Sequence, residues 1–168
     1  IEIGDYFNFH NHSIYSSLQA SSNIQELINK ALENNFSAVG LVDLGNMMGA
    51  FKFVSEVEKA NGNIKKKYQE FQDKKQKAAE EGTEFEEIEP RKKELIPIIG
   101  CEFYISDRPE KKQFTKDDPD RRTHIVLLAK NMKGYKNLTK LSSIGYVNGF
   151  YFGVPRISKE MISEYKED

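Results

Sequence analysis

Two short apolar runs, Ala38 to Val42 and Leu95 to Ile99, constrain the fold of this chain more than any other feature of its sequence. Neither alternates apolar with polar residues, so each suits a strand covered on both faces, as in a parallel sheet flanked by helices. The first run ends at Asp43 with Gly45 behind it, and the second continues through Gly100, Cys101 and Glu102 toward Ile105. Helical spacing surrounds them. Ile24, Leu27, Ile28, Ala31 and Leu32 recur at i, i+3, i+4, i+7 and i+8 behind Ser22, a candidate N-cap with Gln25 three residues on. A second helix is expected from near Met47, with Ala50, Phe53, Val54 and Val57 on its inner face. Tyr6 to His12 alternates aromatic with polar residues and predicts a first strand, and His124 to Ala129 predicts another. Asn131 is placed to cap a helix carrying Tyr135, Leu138 and Leu141, and Ser158 to open a last short one with Met161, Ile162 and Tyr165. The polar stretch Asp107 to Arg122 between two strands reads as a surface loop. Strands alternating with helices predict an α/β protein with a parallel sheet or barrel.

A length of 168 residues is that of one domain and excludes a large multidomain enzyme. Lys and Arg number 25 against 26 Asp and Glu, so no global positive field holds nucleic acid, and contact with DNA has to be local or borrowed from a partner. The charge is uneven. Lys65 to Glu94 packs 9 Lys or Arg and 9 Asp or Glu into 30 residues, while the remainder is close to the usual globular share of roughly 25%. Residues 62–95 therefore read as a charged helix and loop inserted into an ordinary domain, with Tyr68, Phe71 and Ala78 keeping helical spacing up to Gly82. A solvated face is the ordinary role of such a run; a binding arm is the alternative. One cysteine makes no internal disulfide, and no apolar run approaches the ~18 residues of a membrane span, so a soluble protein of a reducing cytoplasm is expected.

His10 and His12 are the most informative pair. Residues two apart on a strand project from one face roughly 7 Å apart, so both imidazoles can lean on one metal site; the plain reading is two surface histidines. Asp43 and Glu102 each lie at the carboxyl end of an expected parallel strand, the rim where α/β proteins place ligands. Asp43 could equally be a turn or capping residue, and Glu102 an exposed strand end. His124 stands beside an apolar strand, where a lone histidine is ordinarily a core or edge residue. Together His10, His12, Asp43, Glu102 and His124 are a nitrogen and oxygen set suited to zinc, manganese or iron, able to activate water against a phosphoester. Cys101 reads as a buried apolar residue. No P-loop, nucleophile elbow or dinucleotide fingerprint is present.

FHNHSIYS (Phe9 to Ser16), GLVDLGNMMGAF (Gly40 to Phe51), PIIGCEFY (Pro97 to Tyr104), THIVLLAKN (Thr123 to Asn131) and GYKNLTKLSS (Gly134 to Ser143) resemble, in order, blocks of the polymerase and histidinol phosphatase (PHP) domain. More narrowly they are similar to the version at the N-terminus of the alpha subunit of bacterial DNA polymerase III, and GFYFGVPRIS (Gly149 to Ser158) resembles its next block. The resemblance implies a distorted β/α barrel, seven-stranded in the family, with up to three metal ions at the carboxyl ends of its strands. His10 and His12 match the first motif, Glu102 the glutamate ligand, His124 a further histidine ligand, and Asp43 the aspartate of an Asp-His pair. Leu44 stands where that pair has its histidine, and Gln19 where polymerase members with a full site tend to carry an aspartate. The resemblance therefore implies a degenerate site, with Zn2+, Mn2+ or Fe2+ in a partial cluster and no residue assigned as catalytic.

It further implies that residues 1–168 are the N-terminal portion of one such domain. The chain opens on Ile1 rather than Met, and the remaining ligands, an Asp-x-His pair among them, are expected beyond Asp168. So is the polymerase domain, with its own Mg2+ and nucleotidyltransferase chemistry. The function expected from the resemblance is DNA replication in a bacterial cytoplasm, DNA being held through the intact polymerase. This region would serve as an inactive scaffold for the proofreading exonuclease and other subunits of the polymerase III holoenzyme. The alternative is an active metal-dependent phosphoesterase or 3′–5′ exonuclease using His10, His12, Glu102 and His124. A free-standing small-molecule phosphatase is disfavoured by the blocks at Gly134 and Gly149.

Overall fold

The computed structural model describes residues 7–16 and 19–166. Its elements run α1 (Ile24–Glu33), β1 (Ala38–Leu41), α2 (Ala50–Glu81), β2 (Ile96–Ile105), β3 (Thr123–Leu128), α3 (Met132–Val147), β4 (Arg156–Ile157) and α4 (Lys159–Glu164). The ten-residue β2 is the spine. Its first half pairs in parallel with β1, from Ala38 opposite Ile96 to Leu41 opposite Ile99. Its second half pairs antiparallel with β3 and, at its end, parallel with β4. The sheet is thus mixed, where strand and helix alternation predicts a parallel one. No helix lies between β2 and β3; residues 106–122 reverse the chain without the helix that usually carries a parallel crossover.

Side-chain chemistry sets the helix ends. α1 starts one residue later than expected: the Asn23 side chain accepts from the Gln25 amide at 3.1 Å, and the Glu26 carboxylate accepts from the Asn23 amide at 3.4 Å. Ser22 with Gln25 fits the same capping pattern, but Glu26 adds a full negative charge at the positive helix end. Asn131 and Ser158 cap α3 and α4 as their positions predict. α2 does not stop where the charged residues begin. It runs 32 residues, about 48 Å at 1.5 Å per residue, to a left-handed Gly82. Phe53 and Val57 anchor it in the core, and Ile64 and Phe71 keep one stripe buried farther out. Phe85 returns over Phe71 edge-on at 5.2 Å. The returning strand is tied down where Asn61 both donates to the Leu95 carbonyl and accepts from its amide.

Two clusters of buried residues flank the sheet. Ile24, Ile28, Val39, Leu41, Phe53 and Val57 form one, and Cys101, Phe103, Ile105, Leu138, Leu141 and Ile157 the other. A buried cation, invisible to hydropathy, organises the far end. Arg156 is fully buried and donates to the carbonyls of Gly149, Pro109 and Lys111 at 3.0, 2.7 and 2.8 Å and to the Asp120 carboxylate at 2.8 Å. Its guanidinium also lies over the Tyr151 and Phe114 rings. The polar loop 107–122 is therefore moored rather than loose. Among the described residues no helix is long and apolar enough to cross a membrane.

Candidate metal centre

The segment carrying His10 and His12 is not a strand. Tyr6 lies outside the described residues, and 7–13 makes two ladder-like bonds to β1 and the residue after it, from the Gly40 amide to Asn8 O (3.0 Å) and from the Val42 amide to Asn11 O (2.9 Å). Three residues on one side match two on the other, so strand alternation is broken. The cause is local: Asn8 and Asn11 bond to each other, and the Asn8 side chain accepts from the His10 amide, so these side chains compete with a sheet ladder for the backbone. The segment still lies tight on β1, because a Cβ at Gly40 would stand 2.3 Å from the Phe9 carbonyl oxygen.

The two imidazoles nevertheless converge. His10 Nε2 and His12 Nε2 each lie 2.8 Å from Glu102 Oε2, and His124 Nδ1 lies 2.7 Å from Glu102 Oε1. Glu102 forms the floor, its side chain 10% exposed, while those of His10 and His124 are 48% and 45% exposed at the rim. Burial pushes the Glu102 carboxyl up, but hydrogen bonds from His10, His124 and His12 outweigh it and hold the group below its ordinary range. The carboxylate is charged at neutral pH. His124 faces Tyr104 across β2 and β3, and the Tyr104 ring abuts the imidazole at 4.4 Å. His10, Asn11 and His12 also line an open depression of about 520 Å3 together with Gln19 and Leu27.

Asp43 is placed apart from this group. It is 2% exposed, and its oxygens accept from the Ser13 amide (2.7 Å), the Ser13 hydroxyl (2.8 Å) and the Ser16 hydroxyl (2.7 Å). Leu44, one residue on, forms a parallel backbone bridge with Glu102. Gln19 donates to the Tyr104 hydroxyl at 3.3 Å. Cys101 is buried, its thiol donating to the carbonyls of Asp43 and Asn46, and burial pushes its pKa far up, so it offers no thiolate. Ser13, Ser16 and Tyr104 escape notice in the sequence, since a serine in a turn and a tyrosine in a strand carry no mark of what they touch.

The donor atoms of His10, His12 and Glu102 lie within 4.8 Å of one another. Two imidazole nitrogens and a carboxylate oxygen form a donor set that fits a divalent cation, so these residues can hold a metal, with His124 bonded to the second oxygen of the same carboxylate.

Comparison with known proteins identifies the family. The family model described as the PHP domain matches residues 8–168. The chain is 36% identical over 165 residues to the DNA polymerase III subunit alpha of Borreliella burgdorferi, covering 96% of this chain and 11% of that protein. It is 33% identical over 168 residues to the same subunit of Aquifex aeolicus, covering 97% and 12%, and 34% identical over 160 residues to that of Chlamydia trachomatis, covering 94% and 10%. The chain thus spans about a tenth of the length of these relatives. With the family blocks in order on a partial β/α architecture and three histidines gathered on one glutamate, the chain belongs to the PHP domain family.

Proposed function

We propose that this chain is the PHP region of a replicative DNA polymerase subunit, in which DNA synthesis belongs to segments outside these 168 residues. The region acts as a scaffold that supports the polymerase and contacts a proofreading exonuclease, and its metal site is reduced. The observation that carries this reading is the 36% identity, over nearly the whole chain, to a protein named DNA polymerase III subunit alpha. The charged segment 62–95 is an elaboration of the same domain, solvated along most of its length.

The reduced site follows from Leu44. It sits beside Glu102 at a position where the family resemblance calls for histidine, and leucine has no lone pair to give. His10, His12 and Glu102 then supply donors for a single ion, of which Zn2+, Mn2+ or Fe2+ suits a nitrogen and oxygen set. Such an ion would polarise a phosphoryl oxygen and acidify a bound water. The chain's own part is to hold the two Nε2 atoms and one carboxylate oxygen together, with His124 fixing the other oxygen.

Metal analysis and a nuclease assay on the purified protein test the reading. Substoichiometric metal, no release of 3′ nucleotides, and retention of the proofreading exonuclease through this region are expected. Stoichiometric zinc or manganese with 3′–5′ exonuclease activity that disappears in His12→Ala would establish the second reading, a working metal-dependent phosphoesterase. The convergence of three imidazoles on Glu102 is the observation in its favour.

A further inference from the structure

We infer that Asp43 is a positioning residue, a carboxylate clamp that fixes the His10–His12 segment over Glu102 without touching a metal itself; the metal part of this rests on the reading above. The segment needs such a device, because residues 7–13 are bonded by backbone to Gly40 of β1 and to Val42 just after it, with no strand ladder to set where their side chains fall. Asp43 supplies three bonds at once. Oδ1 accepts from the Ser13 amide and the Ser16 hydroxyl, and Oδ2 accepts from the Ser13 hydroxyl. Among the described residues its carboxylate bonds to these two serines and to no imidazole.

The clamp closes in both directions. The Leu44 amide donates to Ser16 Oγ at 3.0 Å, and the Asn46 side chain donates to the Tyr15 carbonyl at 3.0 Å, so the turn 13–16 and the chain after β1 are laced together. From there the backbone reaches Glu102 directly: its amide donates to the Asp43 carbonyl at 3.1 Å, and the Gly45 amide donates to the Glu102 carbonyl at 2.7 Å. One residue therefore joins the backbone carrying both histidines to the backbone carrying the glutamate. Gly49 is part of the fit. A Cβ there would lie 2.7 Å from Asp43 Oδ2, although its φ of −77° would accept any residue. The space is reserved for the carboxylate.

Asp43→Asn, the Ser13→Ala/Ser16→Ala pair and Gly49→Ala disturb the clamp from three sides, and His12→Ala serves as the ligand control. Hydrogen exchange by mass spectrometry reads the Ser13 and Leu44 amides. Diethyl pyrocarbonate modification reads the placement of His12. Neither depends on metal. In the clamp variants, exchange at both amides should quicken about tenfold or more, as expected when a charge-assisted bond is lost, and His12 should modify several-fold faster. Co2+ affinity, followed by its visible absorption, should fall about 10- to 100-fold, the usual effect of losing a partner that orients a ligand. His12→Ala should lose Co2+ while keeping wild-type exchange at Ser13 and Leu44. Unchanged exchange and modification in the clamp variants would overturn the inference. So would loss of Co2+ in Asp43→Asn without any change at those amides, which would make Asp43 a ligand. A wild-type chain that takes no Co2+ defeats the metal reading alone, and the two metal-free readouts then decide the clamp.

Discussion

Arg156→Met is the substitution with the largest consequence that can be worked out from the structure. The arginine side chain is fully buried, and its Asp120 partner is 8% exposed. Methionine keeps an apolar stem between Tyr151 and Phe114 but removes every donor. The carbonyls of Gly149, Pro109 and Lys111 lose their partner, and the Asp120 carboxylate is left in a dry site. Arg122 stays paired with it and offsets part of the charge. Its Nε lies 2.9 Å from Asp120 Oδ2 in the ion pair, yet the geometry is not that of a hydrogen bond, and Oδ2 has no hydrogen-bond partner. Removing one member of a buried pair costs about 3–5 kcal/mol, mostly through the charge left behind. For a chain of this size that lowers Tm by roughly 6–20 °C. Urea denaturation followed by circular dichroism gives the free energy, and hydrogen exchange should show 107–122 and 149–155 loosening before the sheet. Adding Asp120→Asn to Arg156→Met should recover about 1–2 kcal/mol, because it removes the stranded charge. A loss under about 1 kcal/mol, or an Arg156→Lys variant as stable as wild type, would refute the reasoning, since a single ammonium cannot span four acceptors.

Three further outcomes are expected. Gly40→Ala places a Cβ 2.3 Å from the Phe9 carbonyl oxygen; it should cost about 1–3 kcal/mol by overpacking and raise His10 and His12 reactivity toward diethyl pyrocarbonate. Phe71→Ala removes the contact that folds Phe85 back onto α2; exchange should quicken over 83–90 and the outer turns of α2 while the amides of β1 and β2 keep their protection. Asp118 is held well below the ordinary carboxylate range by hydrogen bonds from Arg108 and Lys111. A depressed folded pKa gives stability that is present above the unfolded value and lost as pH falls through the folded one. The stability difference between wild type and Asp118→Asn should therefore be flat at neutral and mildly acid pH and close only below the usual carboxylate range. A difference that closes near pH 5 would contradict it.

What could be read from the sequence divides along a physical line. Features carried by one residue's own chemistry or by local spacing were legible: the apolar runs of β1 and β2, the amphipathic α1, the Asn131 and Ser158 caps, and the loop at 107–122. The gathering of His10, His12 and His124 on Glu102 was legible too, because the chain has just three histidines and two of them are spaced two apart, although Asp43 of the same expected set stands apart. Features decided by which partner arrives in space were not. The antiparallel β3 depends on 106–122 turning back with no crossover helix, and the unbroken α2 depends on Phe71 and Ile64 finding cover from a returning chain that hydropathy marks only as charged. The two-residue strand β4 has too few residues for any period, and Arg156 within it looks like one more surface cation.

The histidine pair shows most sharply how a right grouping can follow from a wrong intermediate. Strand alternation predicts that His10 and His12 share a face, and they do meet on one oxygen, yet the segment is not a strand. Asn8 and Asn11 divert its backbone, Gly40 lets it lie flat on β1, and Asp43 anchors the turn that follows. The parallel register of β1 and β2, carried past Leu41 and Ile99, puts Leu44 level with Glu102 and leaves Asp43 one residue out of step with the glutamate. A carboxylate at the end of a parallel strand can therefore hold a ligand-bearing loop as readily as it can hold an ion. The burial of Asp43 and its three serine bonds favour the first, and neither is written in the position alone.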